Sequence, residues 1–241
     1  HIPLPLSEVT LDWSIIGGEA NRKKTPLKIL LVAVPNEVIS QYQKIASLAN
    51  LELRALEAEV FGLTRSLVRE NQRVIALLDF GAQSSTISAI DKGVLKISHS
   101  FDISGNEFTQ LLAKSLNVDY WQAENLKRKY GLSFPGKEAP SIALKIREIL
   151  TPLIDLILLE VEKFSLNFFQ AEKKEVQKII LAGGSALLPG LKDYFLENIK
   201  KEVEIANPFL DILYPPILEE TLKEMGPSYA IAVGMALRGL K

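Results

Sequence analysis

The sequence predicts an α/β fold, and three patterns in it do so. Short apolar runs stop at glycine turns, Val74 to Asp79 before Gly81 and Lys178 to Ala182 before Gly183-Gly184, as strands of a buried sheet do. Apolar residues recur with period two at Val9, Leu11, Trp13 and Ile15, the alternation of a half-buried strand. From Ile142 through Ile146, Ile149, Leu153, Ile157, Val161 and Phe164 to Phe168 they recur at helical spacing instead.

Taken in order, Val9 to Ile15 and Leu27 to Val34 form a hairpin across the polar loop Gly17 to Thr25. Pro35-Asn36-Glu37 opens a helix with apolar positions at Val38, Tyr42, Ile45 and Leu48, and Asn50 closes it. A strand over Leu51 to Leu56 completes a small ββαβ subdomain, residues 1–56, and a helix over Glu57 to Arg69 makes residues 57–71 a connecting segment. Three strands follow: Val74 to Asp79, Ser84 to Asp91 and, past the Lys92-Gly93 turn, Val94 to Phe101. Ser104-Gly105-Asn106-Glu107 is a capping box, so a helix starts there and runs to Asn117. Tyr120 to Tyr130 is another, stopped by Gly131, with a loop from Ser133 to Ala139. The long stripe predicts a helix from Pro140 to about Lys174, kinked or split at Pro152. A helix around Leu191 to Ile199, a short strand Val203 to Ala206 and a terminal helix Ser228 to Leu240 complete the larger domain, residues 72–225, and a C-terminal segment, 226–241.

Composition narrows the function. With 28 basic and 29 acidic residues the net charge is −1, which excludes nucleic-acid or lipid binding by bulk electrostatics. The absence of cysteine excludes disulfides, thiolate metal sites and a thiol nucleophile, and suits a reducing cytoplasm. The two histidines, His1 and His99, supply neither a multi-histidine metal site nor a Ser/His/Asp triad, and His99 reads as structural. Apolar runs such as Ile29 to Val34 fall far short of the ~18 residues of a bilayer helix, so membrane association is expected only through a partner. The chain opens on His1-Ile2-Pro3-Leu4-Pro5, with neither an initiating Met nor a leader, and is expected to begin inside a longer protein.

Two glycine turns can carry chemistry. In Asp79-Phe80-Gly81-Ala82-Gln83-Ser84-Ser85-Thr86 an acid ends a strand, Gly81 lets the backbone approach an oxygen, and three hydroxyls follow; such a hairpin holds phosphate, with Asp79 on magnesium or one of its waters. An ordinary polar tight turn has the same composition. In Gly183-Gly184-Ser185-Ala186 the bare backbone can lie against a nucleotide's sugar, phosphates or purine; a strand-to-helix turn needing positive φ is the alternative. Neither the dinucleotide fingerprint nor a P-loop is present. Glu124 and Lys127, three apart on a helix, make an intrahelical ion pair or grip ribose and cover a base. The Glu172-Lys173-Lys174-Glu175 cluster reads as a solvated helix end.

In this order, the acid-glycine hairpin, the capped helix at Ser104-Gly105-Asn106, Ala123-Glu124-Asn125-Leu126-Lys127 and the Gly183-Gly184 turn resemble the second half of an actin-like (ribonuclease H-like) ATPase fold. With Ile2-Pro3-Leu4-Pro5, Ala58-Glu59-Val60-Phe61-Gly62-Leu63, Ala206-Asn207-Pro208-Phe209 and Ala232 through Leu240, the chain resembles the PilM family of type IV pilus assembly proteins over almost its whole length.

The resemblance implies a two-lobed clamp for ATP and Mg2+. Asp79, Gly81, Ser84, Ser85 and Thr86 become the second phosphate loop, with Gly105 and Asn106 beside the phosphates. Gly183, Gly184, Ser185 and Ala186 become the adenosine loop, and Glu124 with Lys127 the ribose and base contacts. The ββαβ unit becomes the inserted subdomain, facing other subunits and the N-terminal cytoplasmic tail of a PilN-like inner-membrane protein. The implied role is a cytoplasmic scaffold, peripheral to the inner membrane through partners and at most a weak ATPase. The family's first phosphate loop lies upstream of the inserted subdomain and is not among these residues, so the fold is expected to be N-terminally incomplete, ATP binding by these residues alone weak or absent, and a bare sheet edge prone to self-association. An FtsA-like membrane-tethered filament protein and a phosphotransferase on the same fold are the alternatives; the latter requires a catalytic base and a substrate-specific pocket, and the sequence assigns neither.

Overall fold

The computed structural model describes residues 5–17, 27–69, 73–133 and 140–240. The predicted first loop beyond Gly17, the loop after Ser133 and the Ile2-Pro3-Leu4 motif lie outside the described residues. The chain divides into two units, His1–Ala58 and Glu59–Lys241.

In the first unit β1 (Val9–Gly17) and β2 (Lys28–Pro35) pair antiparallel, with a register shift between Ile15 and Gly17. Leu11 lies opposite Ala33, Trp13 opposite Leu31 and Ile15 opposite Ile29, so these six side chains share one face. That face is open, with Trp13 62% exposed. On the other face Leu30, Val32 and Val34 are half-buried, and α1 (Asn36–Leu48) packs against β2. The Thr10 hydroxyl donates to Asn36 Oδ1 at 2.7 Å, fixing the start of α1 to β1.

The predicted strand at residues 51–56 does not form. A strand exists only as one rail of a ladder, and among the described residues the sheet here holds β1 and β2. Residues 51–58 are irregular, Leu51 and Leu53 are exposed, and Glu52 pairs locally with Arg54 at 3.3 Å. The described unit is therefore β-β-α followed by coil.

The second unit is built on a five-stranded sheet of order β5-β4-β3-β6-β7, formed by β3 (Val74–Phe80), β4 (Ser85–Asp91), β5 (Val94–Phe101), β6 (Lys178–Ala182) and β7 (Glu202–Ile205). β3, β4 and β5 are antiparallel neighbours; β6 runs parallel to β3 and β7 to β6. β3 is buried on both faces, which is why it reads as an unbroken apolar run. Its Val74, Ala76, Leu78 and Phe80 enter a core with Ile87 and Ala89 of β4, Phe108 and Leu112 of α3 (Gly105–Leu116), and the buried stripe of α5 (Ser141–Glu172). Phe80 meets Phe108 edge to face at 5.3 Å between ring centroids. α4 (Tyr120–Tyr130) packs on α3 and α5, and α6 (Leu191–Asn198) against β7.

α5 is one helix of 32 residues with Pro152 inside it, not two segments. Its far end is not simply solvated: Lys174 reaches the buried Asp91 carboxylate at 2.6 Å, clamping the exit of α5 to β4. α7 (Glu219–Arg238) begins well before the predicted Ser228. Gly226-Pro227 has the composition of a break, yet both residues are buried within the helix. α7 packs along α2 (Glu59–Leu67) and touches β6. The α2–α7 crossing is close enough that a β-carbon on Gly234 would run into the Gly62 backbone, and Arg65 Nη1 donates to the Gly234 carbonyl at 2.7 Å. No helix among the described residues is long and apolar enough to cross a membrane.

Candidate functional site

The two glycine turns converge. β3 and β6 are parallel neighbours in a register that sets Asp79 beside Ala182, so both chains leave the sheet at the same edge, one into Gly81 and the other into Gly183. Gly183 has φ +83°, and a β-carbon there would lie 2.7 Å from Asp79 Oδ1 while colliding with the Phe80 carbonyl. Its amide donates to the Pro227 carbonyl of α7 at 2.9 Å. The Ser185 hydroxyl reaches toward the Gly81 carbonyl at 3.4 Å, and the Ala186 amide returns to the Gly183 carbonyl at 3.2 Å, closing the turn. A β-carbon on Gly184 would meet the Ser228 hydroxyl at an ordinary contact distance of 3.6 Å.

The β3–β4 hairpin is closed by the Gly81 amide on the Ser84 carbonyl at 3.1 Å, an approach that leaves a β-carbon at Gly81 only 2.8 Å from that same oxygen. Its three hydroxyls differ in use. Ser85 is fully buried and donates to the Ile103 carbonyl at 2.6 Å; Thr86 bonds Ser100 Oγ on β5 at 2.9 Å; Ser84 is exposed and holds no protein partner among the described residues. The first turn of α3 docks on the hairpin, the Gly105 amide donating to the Gly81 carbonyl at 3.0 Å and the Asn106 amide to the Ala82 carbonyl at 2.9 Å. The expected capping box forms there, with the Ser104 amide donating to Glu107 Oε2 at 3.1 Å. The Asn106 side chain accepts from the Tyr120 hydroxyl at 2.9 Å.

Asp79 is the charged group at the centre. Burial pushes its carboxyl up to about 6, and the negative charge of Glu59, at the start of α2, adds to the effect. Glu59 entered the sequence reading only within the Ala58 to Leu63 motif, with no site role; its signal was its place at the start of a helix, an acid whose effect is felt on a strand end distant in sequence. The described residues contain no group of three or more metal-ligating side chains. The donor set of one carboxylate beside hairpin oxygens fits magnesium, which keeps much of its water and takes phosphate oxygens as ligands, rather than a metal caged by protein.

Glu124 and Lys127 lie on α4, and their ion pair at 2.7 Å is part of a denser network. Lys127 Nζ donates to the Gly105 carbonyl and to Thr109 Oγ1, each at 2.8 Å, and is 8% exposed. Thr109 donates to Glu124 Oε2 at 2.5 Å, and Arg128 Nε to Glu124 Oε1 at 2.7 Å. Burial pushes the Glu124 carboxyl upward, but the donors Lys127, Thr109 and Arg128 outweigh it and hold it at about 2. Burial lowers Lys127, against the pull of Glu124. Every residue of the expected site lies in the second unit, and the hairpin, the α3 turn and the Gly183 loop meet directly.

Comparison with known proteins gives this geometry a family. Among structures, the chain is similar over its full length to a chain of the "PilM-PilN type IV pilus biogenesis complex", at 26% identity and TM-score 0.84, covering 69% of that chain. MreB5 of Spiroplasma citri bound to ADP shares the fold at 16% identity and TM-score 0.61, over 85% of this chain and 65% of that one. The ethanolamine utilization protein EutJ from Carboxydothermus hydrogenoformans shares it at 21% and 0.59, over 81% and 59%. In sequence, the chain is 22% identical to the cell division protein FtsA of Helicobacter pylori (strain J99) over 95% of its own length and 50% of that protein, and 22% identical to FtsA of Streptococcus pneumoniae serotype 2 (strain D39) over 74% and 42%. The chain thus spans half the length of these relatives or less. The fold is actin-like, and the model of the family described as type IV pilus assembly protein PilM matches residues 1–240: the chain belongs to that family of actin-like pilus assembly proteins.

Proposed function

We propose that the protein binds ATP with Mg2+ where the Gly81 hairpin and the Gly183 loop meet, and that as a scaffold of type IV pilus assembly it docks the N-terminal cytoplasmic tail of a PilN-like inner-membrane protein, its nucleotide state tuning that contact. The observation that carries the nucleotide reading is the closeness of Gly183 to the Asp79 carboxylate: two turns far apart in sequence present bare backbone on either side of one half-buried acid. Asp79 takes the metal or its water, with Glu59 as the second negative charge; the Ala82 to Ser84 backbone and the Ser84 hydroxyl face the phosphates; Gly184 and Ser185 lie along the adenosine. Glu124 keeps lone-pair capacity on Oε1 for a ribose hydroxyl. Ser85 and Thr86 act by holding the hairpin in shape. Support for the partner comes from the likeness to the PilM-PilN complex.

The test is calorimetric titration of ATP, with and without Mg2+, into the full-length protein and its Asp79→Ala variant, these residues alone being expected to bind weakly or not at all. A magnesium-dependent affinity that Asp79→Ala weakens while leaving the fold intact is the expected result. Equal affinity in the two proteins removes Asp79 from the site. A pull-down with the PilN-like tail peptide, with and without ATP, tests the scaffold reading separately.

A further inference from the structure

The first turn of α3 spends its backbone donors inside the protein. The Gly105 amide goes to the Gly81 carbonyl at 3.0 Å, the Asn106 amide to the Ala82 carbonyl at 2.9 Å, and the Glu107 amide to the Ser104 side chain of the capping box. A helix start ordinarily offers such N–H groups to an anion, and here all three are taken. The turn nevertheless lies between the two glycine loops: a β-carbon on Gly105 would collide with Ser185 Oγ and stand 3.7 Å from Ala82 Cα. The donor that remains is the Asn106 side-chain amide, whose Nδ2 holds no protein partner among the described residues.

We propose that Tyr120 is a positioning residue that turns this carboxamide so that its N–H end meets the phosphates. The proposal rests on the nucleotide reading above and deepens it. A carboxamide carries an acceptor at one end and two donors at the other, and half a rotation exchanges them at little steric cost. The Tyr120 hydroxyl, donating to Asn106 Oδ1 at 2.9 Å, removes that freedom: with the oxygen engaged by the phenol, Nδ2 is the end left for a ligand. The opposite orientation would set an amide oxygen against a phosphate oxygen, acceptor against acceptor. The phenol is itself held in place. Tyr120 is the first residue of α4, whose start is fixed by Asp119, Oδ1 accepting the Gln122 amide at 2.8 Å, and its ring meets that of Trp121 edge to face at 5.7 Å between centroids. Thus α4 sets the donor that α3 presents beside the hairpin.

The experiment uses the full-length protein with Tyr120→Phe, Asn106→Ala and the two combined. Its first readout, nuclear magnetic relaxation of the Asn106 side-chain amide, requires no ligand. Tyr120→Phe removes one oxygen and keeps the ring. It is expected to lower that amide's order parameter from about 0.85 to below about 0.6, while the backbone amides of Gly105 and Asn106 keep theirs. An unchanged side-chain order parameter overturns the proposal. The second readout is binding of two probes, Mg2+-tripolyphosphate and adenosine. Each single variant is expected to lose tripolyphosphate affinity about tenfold, the double variant to lose no more than Asn106→Ala does, and all three to keep adenosine within about twofold. Losses that multiply in the double variant make the phenol a contact of its own and overturn the positioning role, as does an equal loss for adenosine. If the unsubstituted protein takes up neither probe, the nucleotide reading falls, and the relaxation data alone decide whether Tyr120 orients the carboxamide.

Discussion

Gly183 and Asp79 face each other so closely that the first has room for no side chain: its absent β-carbon would sit 2.7 Å from the second's Oδ1. Its φ of +83° independently disfavours any L side chain. Gly183→Ala therefore combines strain with collision, and a loss of about 3 kcal/mol or more is expected in chemical denaturation. A loss under about 1 kcal/mol would show that the loop swings clear of β3 at little cost.

Asp79 opposes the fold when ionised. Its folded-state pKa of about 6 lies above the ordinary 3.8, so between those values the folded chain binds the extra proton and stability falls as pH rises through that window. At pH 7 the cost is at most about 3 kcal/mol, at roughly 1.4 kcal/mol for each tenfold difference in proton affinity between the folded and unfolded chain. Asp79→Asn is expected to raise the pH 7 unfolding midpoint, to abolish the slope between pH 3.8 and about 6, and to match the unsubstituted protein below pH 3.8. Identical pH profiles for the two proteins would remove the assigned burial penalty.

Glu124 works in the opposite sense. Its carboxyl is held at about 2 against an ordinary 4.5, so its contribution is complete above pH 4.5 and drains away as pH falls toward about 2. Because the group is partly solvated, about 1 kcal/mol is expected from it. Glu124→Gln should flatten the acid limb of the stability profile, measured by urea midpoints across pH 2 to 5. An unflattened limb would place the acid-sensitive group elsewhere.

The α2–α7 crossing depends on Gly234, which lies against the backbone of Gly62. Backbone cannot move aside as a flexible side-chain tip does, so Gly234→Ala is expected to cost about 3 kcal/mol. Gly239→Ala, whose nearest neighbour would be 3.7 Å away, is the control and should be neutral within about 0.5 kcal/mol.

The sheet of the second unit was legible because burial on both faces writes an unbroken apolar run, and the α3 start because a capping box is a local signal spanning four residues. The two glycine turns were legible for the same reason, since positive φ and close approach are imposed where the glycine stands. Non-local facts were not. Whether residues 51–56 become a strand depends on a partner elsewhere, and alternation alone does not provide one. Gly226-Pro227 has a breaker's composition, and only the packing of α7 on other elements explains why the helix runs through it. The ion pair of Glu124 and Lys127 was visible at three-residue spacing, but the Gly105 carbonyl and Thr109 hydroxyl that complete it come from another helix. Glu59 was given no site role because its influence on Asp79 is felt only once the folded chain brings the start of α2 near that carboxylate.

The bond from the Gly183 amide to the Pro227 carbonyl joins α7 to the turn beside the half-buried Asp79. A reporter dye on the exposed Tyr229 position, two residues beyond that carbonyl, would sit on the element the turn leans on. With the proposed nucleotide site as the premise, fluorescence from that single point is expected to change on addition of ATP.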